Sequence, residues 1–282
     1  MTSARNAPCI GQPSAARARS KNDRANSQSC EQLNPLLAPR RGYLFAPKDH
    51  AQETAMTQPY KLITFDVFSA LLDIQSSLTA IVQQTLGMRK DKAAAFSRTW
   101  RQVQMSRAAA SNSLDKGRMP FKDCTAIGLD YALGKSGKKV DAATKRKLVA
   151  GWGTLSPWPE APAVMQAIKK KGYATAILSN GDQDQLDSVA GVFGPGAFDH
   201  VLSSETAGFY KPHPSVYELP TRVLGIGSKD ILHVAGGAGD VVGAIAYGMT
   251  CYWSNRTGDL PMDPALGPTY QGKDLKGVLK LL

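Results

Sequence analysis

No part of this 282-residue chain reaches the roughly 18 uninterrupted apolar residues that a membrane-spanning helix needs, so a soluble protein without membrane contact is expected. Cysteine is scarce. Cys9, Cys30, Cys124 and Cys251 are widely spaced and form no CxxC pair, which argues against a disulfide framework or a clustered zinc site. Cys251 lies in an apolar run, where a free thiol packs as a small hydrophobe, and a reducing, cytoplasmic compartment is the simplest expectation. Metal-ligand spacing is lacking around the histidines. His213, in a Lys-Pro-His-Pro turn, and His233, within an apolar strand, are expected to be structural. The formal charge is +11, but the basic residues are scattered and not interleaved with aromatics, so no nucleic-acid groove is expected. That excess favours the capture of small anionic substrates instead.

What is present suffices for a core, since 43% of residues are apolar and 20% charged. The length fits one domain of ordinary size with a smaller insertion or extension. Residues 1–57 stand apart: rich in Ala, Arg, Ser, Asn, Gln and Pro, they carry no helical or strand periodicity and are expected to be a disordered extension. Arg5, Arg17, Arg19, Lys21 and Arg24 against the single acid Asp23 are the charge balance of a transit peptide, although the prolines and the missing amphipathic stripe weigh against one. Met56, just before the first strand-like run, leaves a later initiation open.

From Tyr60 onward the pattern changes. Strands are predicted over 61–68, 173–180, 201–204, 231–235 and 250–254, with helices over 160–171, 182–192, 214–225 and 239–248 between or beside them. Such alternation implies βαβ units and a Rossmann-like parallel sheet, hence an α/β fold. The stretch 75–156 breaks the rhythm with helical runs at 93–110 and 141–151 and no convincing strand. It is expected to be a helical cap inserted between the first and second core strands, the core being 58–74 and 157–282. Pro157, Pro159 and Pro162 mark the return to it.

Ligands of open parallel sheets bind outside the carboxyl ends of the strands. The predicted strands deliver polar residues there in series: Asp66 after the first, Ser179 and Asn180 after the second, Lys211 beyond the third, Asp240 beyond the fourth. An aspartate after one strand is ordinarily a helix cap. Polar residues following four strands at one sheet edge are a candidate active site.

These motifs, FDVFSALLD (65–73), LSNGD (178–182), YKPHPSVYE (210–218) and GGAGDVVGAIAYGM (236–249), resemble the haloacid dehalogenase superfamily in order, spacing and strand context over about 60–260. Phosphatases of that superfamily carry a second Asp two residues after the nucleophile. Here that position is Phe68, which can neither transfer a proton nor support a phosphate–metal complex. Three further runs resemble the type II 2-haloacid dehalogenases: TWRQVQ (99–104) with Arg101, Tyr217 six residues after Lys211, and CYWSNRTGD (251–259).

The resemblance implies hydrolysis of short 2-haloalkanoic acids to 2-hydroxy acids through an ester on Asp66, with no metal and no cofactor. By the same resemblance Lys211 keeps Asp66 ionised and Asp240 anchors Lys211. Ser179 and nearby backbone N–H groups grip the substrate carboxylate, Arg101 and Asn180 stabilise the departing halide, and Phe68 and Tyr217 belong to the substrate pocket. The implied partner is a small 2-haloacid or related carboxylate, and a homodimer is expected on the same ground. The chain departs from the family at Ser69-Ala70, where Gly-Thr is usual, and at Ala235 and Gly237, where Ser and Asn are usual. Two alternatives therefore stand beside the dehalogenase reading: another hydrolase of the superfamily, phosphatases included, or an impaired homologue that binds a small carboxylate or a protein partner.

Overall fold

The computed structural model describes residues 58–114 and 116–282. The extension expected over 1–57, with Cys9, Cys30 and Met56, lies outside the described residues. Six parallel strands form one sheet in the order β3-β2-β1-β4-β5-β6. They are β1 (Leu62–Phe65), β2 (Ala174–Ser179), β3 (His200–Ser203), β4 (Ile231–Ala235), β5 (Thr250–Ser254) and β6 (Tyr270–Gly272). The central strands are largely apolar, as a sheet covered by helices on both sides requires, with Thr64, Thr175 and His233 among the buried polar exceptions. All four β1 residues are buried. The fold is the expected α/β arrangement.

Strand order reverses between β1 and β4, which pair in the register Thr64↔His233 and Phe65↔Val234. Loops leaving the carboxyl ends of these two strands diverge and open a crevice. The predicted strand over 61–68 stops at Phe65 because the chain turns: the Val67 carbonyl accepts the N–H groups of Leu71 and Leu72, each at 3.1 Å. β6 was not anticipated. It has three residues on the sheet's edge and none is buried, so it leaves no apolar signature.

Four helices lie between β1 and β2 in sequence: α1 (Ile74–Leu86), α2 (Lys90–Ser111), α3 (Phe121–Lys135) and α4 (Ala142–Ala150). Asp73 starts α1 by accepting the Ser76 N–H, and Gly87, at φ 60°, ends it in a left-handed turn. Helices α2 and α3 meet at Gly128. A β-carbon there would fall 2.8 Å from the Trp100 carbonyl oxygen, so glycine sets how closely they approach. Beside that contact the Trp100 indole donates to the Thr125 carbonyl at 2.8 Å.

The remaining helices are α5 (Ala161–Lys170), α6 (Gln183–Val192), α7 (Ser204–Ala207), α8 (Pro214–Tyr217), α9 (Leu219–Leu224) and α10 (Ala238–Ala246). The single helix expected over 214–225 is thus two. Pro220, in the first turn of α9, has no N–H to continue a ladder from α8. Among the described residues no helix is long and apolar enough to cross a membrane.

Candidate active site

Asp66 is the first residue beyond β1, and its N–H is tied to the Val234 carbonyl of β4 at 2.9 Å. Its side chain is almost entirely buried. Oδ1 receives the Ser179 hydroxyl at 3.1 Å and lies 3.5 Å from the Lys211 ammonium. Among the described residues Oδ2 has no hydrogen-bond partner. Burial is the largest influence on this carboxyl and raises its pKa; the Lys211 charge acts against it, but the net direction is upward. Lys211 thus favours the ionised form, as expected, against a larger opposing effect of desolvation.

Lys211 leans toward another carboxylate. Its Nζ lies 3.0 Å from Asp240, in the first turn of α10, where the helix N-terminus also favours negative charge. Asp240 is held on both oxygens. Oδ1 receives the Tyr217 hydroxyl at 2.9 Å, and Oδ2 lies 3.0 Å from His233 Nε2. Burial alone would raise its pKa, yet Lys211 and His233 together turn the net direction well below the usual carboxylate range. The Tyr217 phenol moves the opposite way, far upward, through burial and the adjacent Asp240 charge.

A cavity of about 380 Å³ opens on this cluster, with Asp66, Phe68, Asn180, Lys211 and Asp240 on the sheet side. Arg101, Met105 and Ala109 of α2 line it from the helical insert. Arg101 donates to Gln104 Oε1 at 3.0 Å, its one side-chain hydrogen bond among the described residues. Its guanidinium sits 5.5 Å from the Phe68 ring centroid and 5.6 Å from that of Trp152. Burial lowers its pKa to about 10, opposed by Asp66, so Arg101 stays cationic at neutral pH. The remaining guanidinium donors make this a receptor for an anion.

The structure brings Asp66, Phe68, Arg101, Asn180, Lys211 and Asp240 together around one cavity. It corrects the expected placement of two others. Ser179 is fully buried behind Asp66 and aims its hydroxyl at that carboxylate, not into the cavity where a substrate carboxylate would lie. Tyr217 is also fully buried and does not line the cavity; it serves Asp240. Asn180 uses Oδ1 to accept the Lys211 N–H at 2.8 Å, and no protein partner among the described residues takes its Nδ2.

Three features went unseen in the sequence. His233 belongs to the charged cluster, and its Nδ1 meets the Thr64 hydroxyl at 2.8 Å across the β1–β4 pairing. Only the strand register, which sequence does not reveal, joins them. Asp182, just past β2, reaches the insert: it pairs with Arg118 at 2.8 Å and accepts the N–H groups of Phe121 and Lys122 at 2.9 and 3.0 Å. It thus caps α3 from a distance, since Pro120 at the N-cap has no side-chain acceptor. Asn112 completes the attachment through a reciprocal pair of hydrogen bonds with the Tyr210 backbone, next to Lys211.

Comparison with known proteins gives the same picture. A family model described as haloacid dehalogenase-like hydrolase matches residues 60–248. A haloacetate dehalogenase of Moraxella sp. (strain B) is 34% identical over 197 residues, covering 70% of this chain and 86% of that protein. An (S)-2-haloacid dehalogenase of Pseudomonas sp. (strain YL) is 30% identical over 222 residues, covering 78% and 94%. Among solved structures, an L-2-haloacid dehalogenase superposes with a TM-score of 0.72 at 29% identity, covering 78% of this chain and 97% of that one.

Proposed function

The chain belongs to the haloacid dehalogenase-like hydrolases, and on that footing we propose that it hydrolyses short 2-haloalkanoic acids to 2-hydroxy acids. The observation that carries this reading is a buried carboxylate with one oxygen hydrogen-bonded and the other without a partner among the described residues, in a cavity that a half-buried arginine also lines. Asp66 Oδ2 attacks C2 of the substrate, the carbon–halogen bond breaks, and halide leaves with the bonding pair. The configuration at C2 inverts and an ester joins C2 to Asp66. Water then adds to the ester carbonyl at Asp66 Cγ. Cleavage there releases the 2-hydroxy acid, restores the carboxylate and yields one proton. Covalent catalysis of this kind divides one difficult displacement into two easier steps.

Lys211 and Ser179 orient Asp66 through Oδ1, and Asp240 anchors Lys211 with help from Tyr217. Arg101 and the Asn180 Nδ2 face developing halide charge, a preorganised electrostatic contribution. With the Ser179 hydroxyl committed to Asp66, the substrate carboxylate falls to backbone N–H groups of the loop after Asp66. Phe68 packs against Phe121 and Trp152 and keeps water from the reacting carbon. Since it stands where a phosphatase needs its proton-transferring Asp, it supports carbon–halide chemistry over phosphate-ester chemistry. The helical insert over 75–156 serves as the cap. A cytoplasmic setting accords with the free, buried thiols of Cys124 and Cys251. The expected homodimer is tested by its mass in solution.

The experiment is halide release from each enantiomer of 2-chloropropionate by the wild type and Asp66→Asn, followed by intact-mass spectrometry. Release that depends on Asp66 supports the reading. A stable adduct on the wild type would mean that the ester forms and its hydrolysis has failed. Unmodified protein with no halide released would overturn the proposal.

A further inference from the structure

Lys211 is asked to serve two carboxylates and stands nearer one of them, 3.0 Å from Asp240 against 3.5 Å from Asp66. How much of its charge reaches Asp66 depends on how well Asp240 is satisfied by other donors. Tyr217 supplies one, on Oδ1. The residues that the family usually places at 235 and 237 would be hydrogen-bonding side chains, but Ala235 and Gly237 offer none. On Oδ2, Lys211 Nζ and His233 Nε2 both stand at 3.0 Å, so among the described residues the histidine is the one neighbour that shares that oxygen with the ammonium. His233 lies two residues before Ala235 on β4, hence on the same face of the sheet.

We propose, resting on the dehalogenase reading, that His233 is a positioning residue whose Nε2–H, oriented by Thr64, holds Asp240 so that Lys211 remains shared with the nucleophile Asp66. The geometry supports each link. The Asp240 carboxylate, 3.0 Å from Nε2, requires the ring proton there, and the Thr64 hydroxyl 2.8 Å from Nδ1 fixes the ring's orientation from the other side. Lys211 Nζ stands 3.5 Å from the same Nε2 and 3.0 Å from Oδ2, so histidine and ammonium divide that oxygen between them. The ring is fully buried and does not line the cavity, so it acts only through its neighbours. Those neighbours are Thr64 on β1, Cys251 paired with it on β5, Tyr217 on α8, Asp240 on α10, and Lys211. Asp66 and Arg101 complete the set of charges around Lys211.

Replacing His233 with Phe removes the donor and keeps the bulk. Asp240 Oδ2 then keeps Lys211 as its one side-chain donor among the described residues and holds it more tightly, Asp66 loses part of its counter-charge, and its protonation midpoint rises. The test reads that midpoint directly, as the carboxyl band of Asp66 in difference infrared spectra taken against Asp66→Asn, for the wild type, His233→Phe, His233→Gln and Thr64→Val. The expected shift for His233→Phe is upward by about one pH unit, a tenfold change in proton affinity. His233→Gln, which can present an N–H near the same place, returns the midpoint close to wild type, and Thr64→Val falls between. In active enzyme the acid limb of kcat/KM moves in step.

An unmoved Asp66 midpoint in folded His233→Phe would overturn the proposal, even with turnover reduced, because it would reduce the histidine to packing. If His233→Phe does not fold, Thr64→Val carries the same measurement, and an unmoved midpoint there is equally adverse. Since the infrared reading needs no turnover, its outcome is separate from whether the wild type releases halide.

Discussion

Gly236 presses against Ala70 so closely that a β-carbon on the glycine would overlap the alanine's backbone nitrogen and the Ser69 carbonyl carbon. The loop leaving β4 is therefore stacked directly on the loop that carries Asp66, the proposed nucleophile. Neither backbone can yield without moving Asp66, four residues before Ala70. Gly236→Ala is expected to destabilise the protein by about 1–3 kcal/mol, the usual cost of overpacking, and to reduce turnover more than an equal loss of stability elsewhere. Urea unfolding beside single-turnover ester formation checks both.

The same loop stores strain at Ser69, whose φ of 86° is the one positive value among the described non-glycine residues. The family usually has glycine there, and glycine adopts that conformation without a β-carbon penalty. Ser69→Gly should raise stability by about 1 kcal/mol, seen as a higher urea midpoint at unchanged slope. A drop would mean that the Ser69 hydroxyl matters more than the backbone.

Much of the site was legible in the sequence because chain order does the work. In a parallel sheet each strand ends at the same edge, so Asp66, Asn180, Lys211 and Asp240 could be assigned to one crevice from their strands alone. Side-chain direction was not legible. Ser179 turns back to Asp66 and Tyr217 to Asp240, where motif position had suggested the pocket. Partners across the sheet were hidden as well: Thr64 and His233 are 169 residues apart and meet only through the β1–β4 register. Asp182 stands at the N-cap of α6 but gives that helix no side-chain hydrogen bond and caps α3 instead.

The carboxylates of the site titrate in opposite directions, which gives pH predictions of opposite sign. Burial raises the Asp66 pKa, and in its proposed role as nucleophile Asp66 must be ionised, so kcat/KM should fall with decreasing pH at values above the ordinary aspartate pKa of about 3.9. For stability, folded Asp66 holds its proton more tightly than the unfolded chain. Its contribution is therefore present at low pH and lost as pH rises through the raised pKa. Asp240, shifted down, contributes stability above the ordinary pKa that is lost as pH falls toward its folded value. Asp66→Asn should accordingly be more stable than the wild type at neutral pH and inactive. Unfolding by urea at several pH values would expose the idea as wrong if the Asp66→Asn variant showed no gain.

Asp182 and Arg118 form an ion pair with side chains only 7% and 6% exposed, and Asp182 also caps α3. Removing one partner strands a buried charge, so Asp182→Ala should cost about 3–5 kcal/mol. The loss should fall on the attachment of the insert, loosening the cavity wall that α2 provides. Hydrogen exchange should speed up first in α3, ahead of the strands; uniform acceleration would argue against an attachment role.

Gly237 lines the cavity, and a β-carbon on it would meet nothing within 4 Å. Its φ of −138° and ψ of 151° suit any residue, so neither conformation nor crowding demands glycine. What the missing side chain leaves is space, in a cavity of about 380 Å³ that far exceeds a two-carbon haloacid. Gly237→Leu should fill that space without unfolding the protein and should penalise longer 2-haloacids while sparing haloacetate. One surplus methylene in an apolar pocket is worth roughly 10–200-fold in discrimination. The ratio of kcat/KM for 2-bromohexanoate to that for bromoacetate should therefore fall at least about tenfold. An unchanged ratio would mean that the alkyl chain of the substrate lies elsewhere, against Met105 and Ala109 of α2, and that the length of acid accepted is set by the insert.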